Sequence, residues 1–153
     1  MPFKFIVTLL IGLFALNATA SSGTNFSPDG ATRVAVHING GHILYEIENE
    51  SQKKREEINF EVEKQLHIEI ADYNFDGRLD FSVWHTDEGM GTYTLHRVFV
   101  FSKEKNEFIE NFPKCNDEFI NLKVDKKNKR LISTYFEGGI PRLCKTNLKK
   151  SSA

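Results

Sequence analysis

The sequence predicts an all-β protein: an antiparallel β-sandwich, or a small propeller-like sheet, of about seven or eight short strands. Three observations predict it. Apolar residues alternate with polar ones along most of the chain, which puts one face of each segment into a core. Turn signals recur roughly every ten residues. Thirteen Phe against one Trp and two Met also give a core of aromatic and β-branched residues, which favours strands.

The elements follow in order. Val34, Val36 and Ile38 alternate with Ala35 and His37, and Ile43, Tyr45 and Ile47 repeat the pattern. Between them Asn39-Gly40-Gly41 supplies the positive-φ residues of a tight hairpin. Residues 48–57 are so densely charged that they read as a solvated loop. Alternation resumes at Ile58, Phe60 and Val62, at Leu66, Ile68 and Ile70, and at Phe81, Val83 and His85. Residues 93–101 form the longest strand-like run, and a polar turn at 102–106 precedes Phe108. Residues 122–125 and 131–136 flank the basic turn 126–129. Only residues 50–64 could be recast as a helix, and their apolar positions fit a period of two better.

The chain has 153 residues, 40% hydrophobic and 27% charged, with a formal net charge of −1. That suits one globular domain and excludes disorder. Interspersed charges of both signs argue against a nucleic-acid partner, which requires a basic face.

The N-terminus carries Lys4, an uncharged apolar run over residues 5–16, and Ala18-Thr19-Ala20 as a small-residue exit. Together they read as a secretory signal peptide over residues 1–20. Residues 21–32 read as a flexible leader, 33–148 as a single β-domain and 149–153 as a flexible tail. The protein is therefore expected to be periplasmic or secreted, with no membrane span once the signal is removed. In an oxidising compartment Cys115 and Cys144, the two cysteines of the chain, read as a disulfide rather than a metal site.

One motif is sharp. Residues 72–80 read D-x-N-x-D-G-x-x-D: Asp72, Asn74 and Asp76 at positions 1, 3 and 5, Gly77 at 6, Arg78 at 7 and Asp80 at 9. Ca²⁺ takes six to eight oxygen ligands, so a chain that binds it must wrap around one point. Alternate side chains do this, with a Gly for the sharp turn and the Arg78 carbonyl as a further oxygen. Position 12, where an EF-hand has a bidentate Glu, is Val83, and both flanks alternate like strands. The expected site is a calcium loop between two strands, with weak affinity of roughly 10⁻⁴–10⁻³ M.

Catalysis has little support. His37, His42, His67, His85 and His96 are scattered, without metalloprotease spacing. No nucleophile elbow, P-loop or dinucleotide fingerprint occurs. Adjacent Asp87 and Glu88 would point apart, which does not make a glycosidase pair. The protein is not expected to be an enzyme.

The run I-x-I-A-D-Y-N-F-D-G-R-L-D-F, a Gly-containing loop, and then T-Y-T-L-H-R-V-F-V-F-S-K-E-K-N-E-F resemble small exported bacterial β-proteins. The best understood of these are periplasmic immunity proteins that inhibit lysozyme-like toxins delivered between bacteria. They are similar in fold to periplasmic inhibitors of invertebrate-type lysozyme. The resemblance covers residues 66–108, about a third of the chain after the signal. It implies that a loop of small residues and a Tyr enters an enzyme's cleft; here that loop is Asp87, Glu88, Gly89, Met90, Gly91, Thr92 and Tyr93. The expected function is an exported calcium-binding β-domain that binds and inhibits a lysozyme-like cell-wall hydrolase. The alternative is a non-inhibitory structural or ligand-recognition module, since the calcium loop alone also resembles FG-GAP and integrin-like repeats.

Overall fold

The computed structural model describes residues 22–149. The signal-peptide reading of residues 1–20 lies outside them, as does the tail reading beyond Lys149. The described residues form eleven strands and no helix, so no helix is long and apolar enough to cross a membrane.

β1 (Ser22–Phe26), β2 (Arg33–Asn39), β3 (His42–Glu48) and β4 (Lys53–Asn59) make a four-stranded sheet in chain order. The second sheet holds β5 (His67–Ala71), β6 (Asp80–Thr86), β7 (Thr94–Ser102), β8 (Glu107–Asn111), β9 (Phe119–Asp125), β10 (Arg130–Glu137) and β11 (Ile140–Thr146). Its order is β11-β10-β9-β7-β6-β5, with β8 also paired to β7. β7 divides one edge between two neighbours: Leu95 and His96 face β9, while Val98 to Ser102 face β8. All pairings are antiparallel, so the predicted fold class holds, as a two-sheet sandwich.

The sandwich core comes from the inward residues of both sheets. Val34, Val36, Ile43, Tyr45 and Ile47 meet Phe81, Val83, Phe99, Phe101 and Phe108, all buried. Phe108 is the hub, packed against the rings of Phe26, Tyr45, Phe81 and Phe101, and Phe81 in turn stacks on Phe99 at 4.9 Å. The opposite face of the second sheet has its own core, where Val98, Val100, Phe119 and Leu131 pack with Tyr73 from the loop after β5. Residues 72–79 thus fold back as a lid over that face. At the rim Arg97 grips Glu110 with two hydrogen bonds, 2.6 and 2.7 Å, and lies 4.4 Å over the Phe60 ring.

The sandwich core takes nothing from β9–β11. Asn121, at φ 51°, is part of a bulge in β9, where the register against β10 shifts between Ile132 and Thr134. The shift keeps Ile120 and Lys123 on one face although they are three residues apart. That face carries on past the edge of the four-stranded sheet.

Three expectations change. Within the expected flexible leader, Ser22–Phe26 is β1, and Phe26 packs 6.0 Å from Phe108. The turn after it is ordered by Asp29, which accepts the N–H of Ala31 and Thr32. Residues 53–57 of the expected charged loop belong to β4, which continues through Ile58 to Asn59 and is steadied by the Lys53–Glu46 and Lys54–Glu107 pairs. β11, expected as no element, completes the sheet.

Candidate functional site

Two loops concentrate the predicted site residues, one at each end of β6. The first, residues 72–80, is wound on its own side chains. Asp72 accepts the N–H of Asp76 (3.1 Å) and of Gly77 (2.9 Å). Asn74 Oδ1 approaches the same Asp76 N–H at 3.1 Å, so the oxygens of Asp72 and Asn74 converge on one donor. Asp76 in turn accepts the Arg78 N–H at 2.9 Å, the Asn74 amide at 3.0 Å and the Arg78 guanidinium at 3.2 Å. Phe75 at φ 60° and Gly77 at φ 90° make the two left-handed steps that close the loop. The structure therefore brings Asp72, Asn74, Asp76 and Arg78 together.

Asp80 behaves differently. It is fully buried, and its two carboxylate oxygens accept the N–H of Tyr73 at 2.8 Å and of Phe101 at 3.0 Å. It pins the start of the loop and the end of β7 to the first residue of β6. Burial pushes its pKa up to about 7 against the pull of those two hydrogen bonds, and Asp76 and Asp72 add to the rise. Tyr73 completes the anchor by a 2.8 Å hydrogen bond between its hydroxyl and that of Ser82. Among the described residues no group of three or more His, Cys, Asp or Glu is placed to hold a metal.

The second loop, residues 87–93, joins β6 to β7 and is closed by Asp87. Its carboxylate accepts the N–H of Tyr93 at 2.7 Å and of Gly91 at 3.3 Å, while its own N–H donates to the Tyr93 carbonyl at 2.9 Å. The Tyr93 N–H, chief among these, holds the Asp87 carboxyl below its ordinary range. Glu88, Gly89, Gly91 and Thr92 are exposed, and Met90 stands out at 93% exposure. Tyr93 packs edge-on against Phe136 of β10, with ring centroids 5.5 Å apart. The sequence placed the loop but gave no sign of this contact, which spans 43 residues and arises because β9, β10 and β11 line up beside β7.

Between the loops, one row of the sheet brings His67 and His96, scattered in the sequence, to either side of Trp84. His67 stacks on Trp84 at 4.2 Å, and Trp84 on His96 at 5.8 Å. His96 is 6% exposed; its Nε2 meets the Thr94 hydroxyl at 3.1 Å, and its buried Nδ1 has no hydrogen-bond partner. Burial, and secondarily the nearby His85, lowers its pKa from 6.5 to about 4. The folded chain thus refuses a proton that the unfolded chain accepts. Its contribution to stability should fall as pH drops from about 6.5 towards 4, by on the order of 3 kcal/mol, while the raised Asp80 pKa acts in the opposite direction. Thermal melts of wild type and His96→Phe across this range should therefore diverge in favour of the variant as pH falls; a constant difference would assign the acid sensitivity elsewhere.

Cys115 and Cys144 form the expected disulfide, with Cα atoms 6.0 Å apart. It ties the connection between β8 and β9 to the edge strand β11. The chain matches no protein-family model, no curated protein and no solved structure.

Proposed function

We propose that the protein is exported, to the periplasm or beyond the cell, and is a non-catalytic binding domain that blocks a lysozyme-like cell-wall hydrolase through residues 87–93. The observation that carries this reading is the loop closed by Asp87, which presents Met90 at 93% exposure three residues from the Tyr93–Phe136 pair. A loop already fixed by its own hydrogen bonds loses little entropy on docking. Met adapts to an irregular cleft, and a Tyr backed by a second ring is a typical interface anchor. Exposed Glu88 offers a negative charge to a basic enzyme, whereas the Asp87 carboxylate is spent on the loop itself. Gly89 and Gly91 leave room for an enzyme's backbone.

The test is peptidoglycan lysis by a lysozyme-like hydrolase in the presence of the purified protein. Met90→Asp, at unchanged melting temperature, and Tyr93→Ala, with only the small drop that loss of the Phe136 contact brings, should each weaken inhibition at least tenfold. Inhibition that survives both would move the contact away from this loop.

In this reading residues 72–80 hold Ca²⁺ with Asp72, Asn74, Asp76 and the Arg78 carbonyl. The donor set suits a hard cation: three oxygen-bearing side chains gathered by one short wound segment. Asp80 would act from behind, as the staple that fixes the loop to the core. Bound calcium would tighten the lid over Tyr73 and carry no chemistry. Titration calorimetry should give a millimolar-range calcium isotherm that Asp76→Ala removes; an isotherm unchanged in Asp76→Ala would defeat the assignment.

A further inference from the structure

The face of the second sheet that meets the four-stranded sheet stays open along β9–β11. There Ile132 lies in register between Lys123 and Lys145, and in the next row Thr134 lies between Ile120 and Leu143. Both lysines are exposed, and Leu143 is 70% exposed. Beyond this face the turn between β9 and β10 adds Lys126, Lys127 and Lys129, all exposed. Residues 119–149 carry eight Lys and Arg against two acids, and both acids are engaged, Asp125 by Arg130 and Glu137 by Arg142. Residues 22–118 run the other way, with nineteen Asp and Glu against ten Lys and Arg. Among the described residues none of these five lysines has an ion-pair partner. The nearly neutral total charge hides this segregation.

We propose that the open face of β9–β11 docks on an anionic lipid surface. Lys123, Lys145 and the turn lysines lie against the headgroups, and Leu143 enters the boundary between headgroups and acyl chains. Each part of the surface chemistry has its counterpart. Lysines near an anionic bilayer are held by its negative potential, which acts within about a Debye length and needs no fixed geometry. That suits flexible side chains with no partner to position them. An anionic polymer would use the lysines alone and leave Leu143 and Ile132 unmatched; a lipid surface matches both. The lysines lie at the end of this face away from Phe136, which backs Tyr93, so their charge reversals test this proposal separately from the inhibitory reading.

The test is cosedimentation of the exported protein with vesicles of 30% phosphatidylglycerol in phosphatidylcholine, with pure phosphatidylcholine vesicles for comparison. The expected result is binding to the anionic vesicles only, lost between 0.1 and 0.5 M NaCl. Lys123→Glu with Lys145→Glu should weaken it at least tenfold, and Leu143→Ser about threefold. Lys126→Glu with Lys127→Glu gives a second charge reversal, in an exposed turn, should the strand variant not fold. No binding to anionic vesicles, equal binding to both vesicle types, or insensitivity to these substitutions would overturn the proposal. So would retention on heparin without vesicle binding, which would assign the face to a polyanion.

Discussion

Asp80→Ala should lower the free energy of unfolding by about 3–5 kcal/mol. The aspartate sits with no exposure where β6 begins, and it satisfies two buried N–H groups, those of Tyr73 and Phe101. Alanine leaves both without an acceptor, at a cost of roughly 1–3 kcal/mol each, and opens a small cavity. The loss should fall on one region: the amides of Tyr73 and Phe101 should exchange with solvent much faster, while those of β2 and β3 keep their protection. Asp80→Asn retains one acceptor and should cost less. A denaturant midpoint that moves by less than the equivalent of about 1 kcal/mol would mean the carboxylate does not hold the loop to the sheet.

Removing the disulfide should have the next largest effect. Cys115 and Cys144 lie 29 positions apart, and on the chain-entropy model a loop of that size contributes about 3–4 kcal/mol by restricting the unfolded state. The bond also holds an edge: β11 has one strand neighbour, β10, and its side chains are mostly exposed, with Cys144 and Thr146 the buried ones. Thr146 accepts the N–H of Lys114 through its hydroxyl at 3.1 Å, a bond that depends on the two segments staying together. Cys115→Ser with Cys144→Ser should therefore lower stability by that amount and fray β11 first. A melting curve identical to that of the wild type would show that the sheet registers β11 without the bridge.

Alternation marks a strand where burial on one face drives it. The hairpin of β2 and β3 was legible because Val34, Val36, Ile43, Tyr45 and Ile47 all point into one core and Gly40, at φ 61°, takes the turn. Apolar alternation fails at the edges. β1 reads SGTNF, and its extended form comes from hydrogen bonding to β2 and from Phe26 on Phe108. β4 reads KKREEIN, and on an edge its alternation takes the form of charged pairs across strands. β11 contains Pro141 and buries little, so its pattern carries no apolar period. At the candidate site the oxygens of residues 72–80 were legible but not their directions. Whether a carboxylate faces an ion or the core depends on which amides lie behind it, and Phe101 is 21 residues away. The Tyr93–Phe136 contact and the His67–Trp84–His96 row were hidden for the same reason: strand neighbours decide them.

The proposed inhibitory role is most directly tested by titrating the protein into a panel of lysozyme-like hydrolases, invertebrate-type lysozyme among them, and following lysis of peptidoglycan. At least one enzyme is expected to lose its activity in proportion to added protein, with an end point at one molecule per enzyme, and to regain it when Met90→Asp replaces the wild type. Full activity of every enzyme in the panel at saturating protein would contradict it.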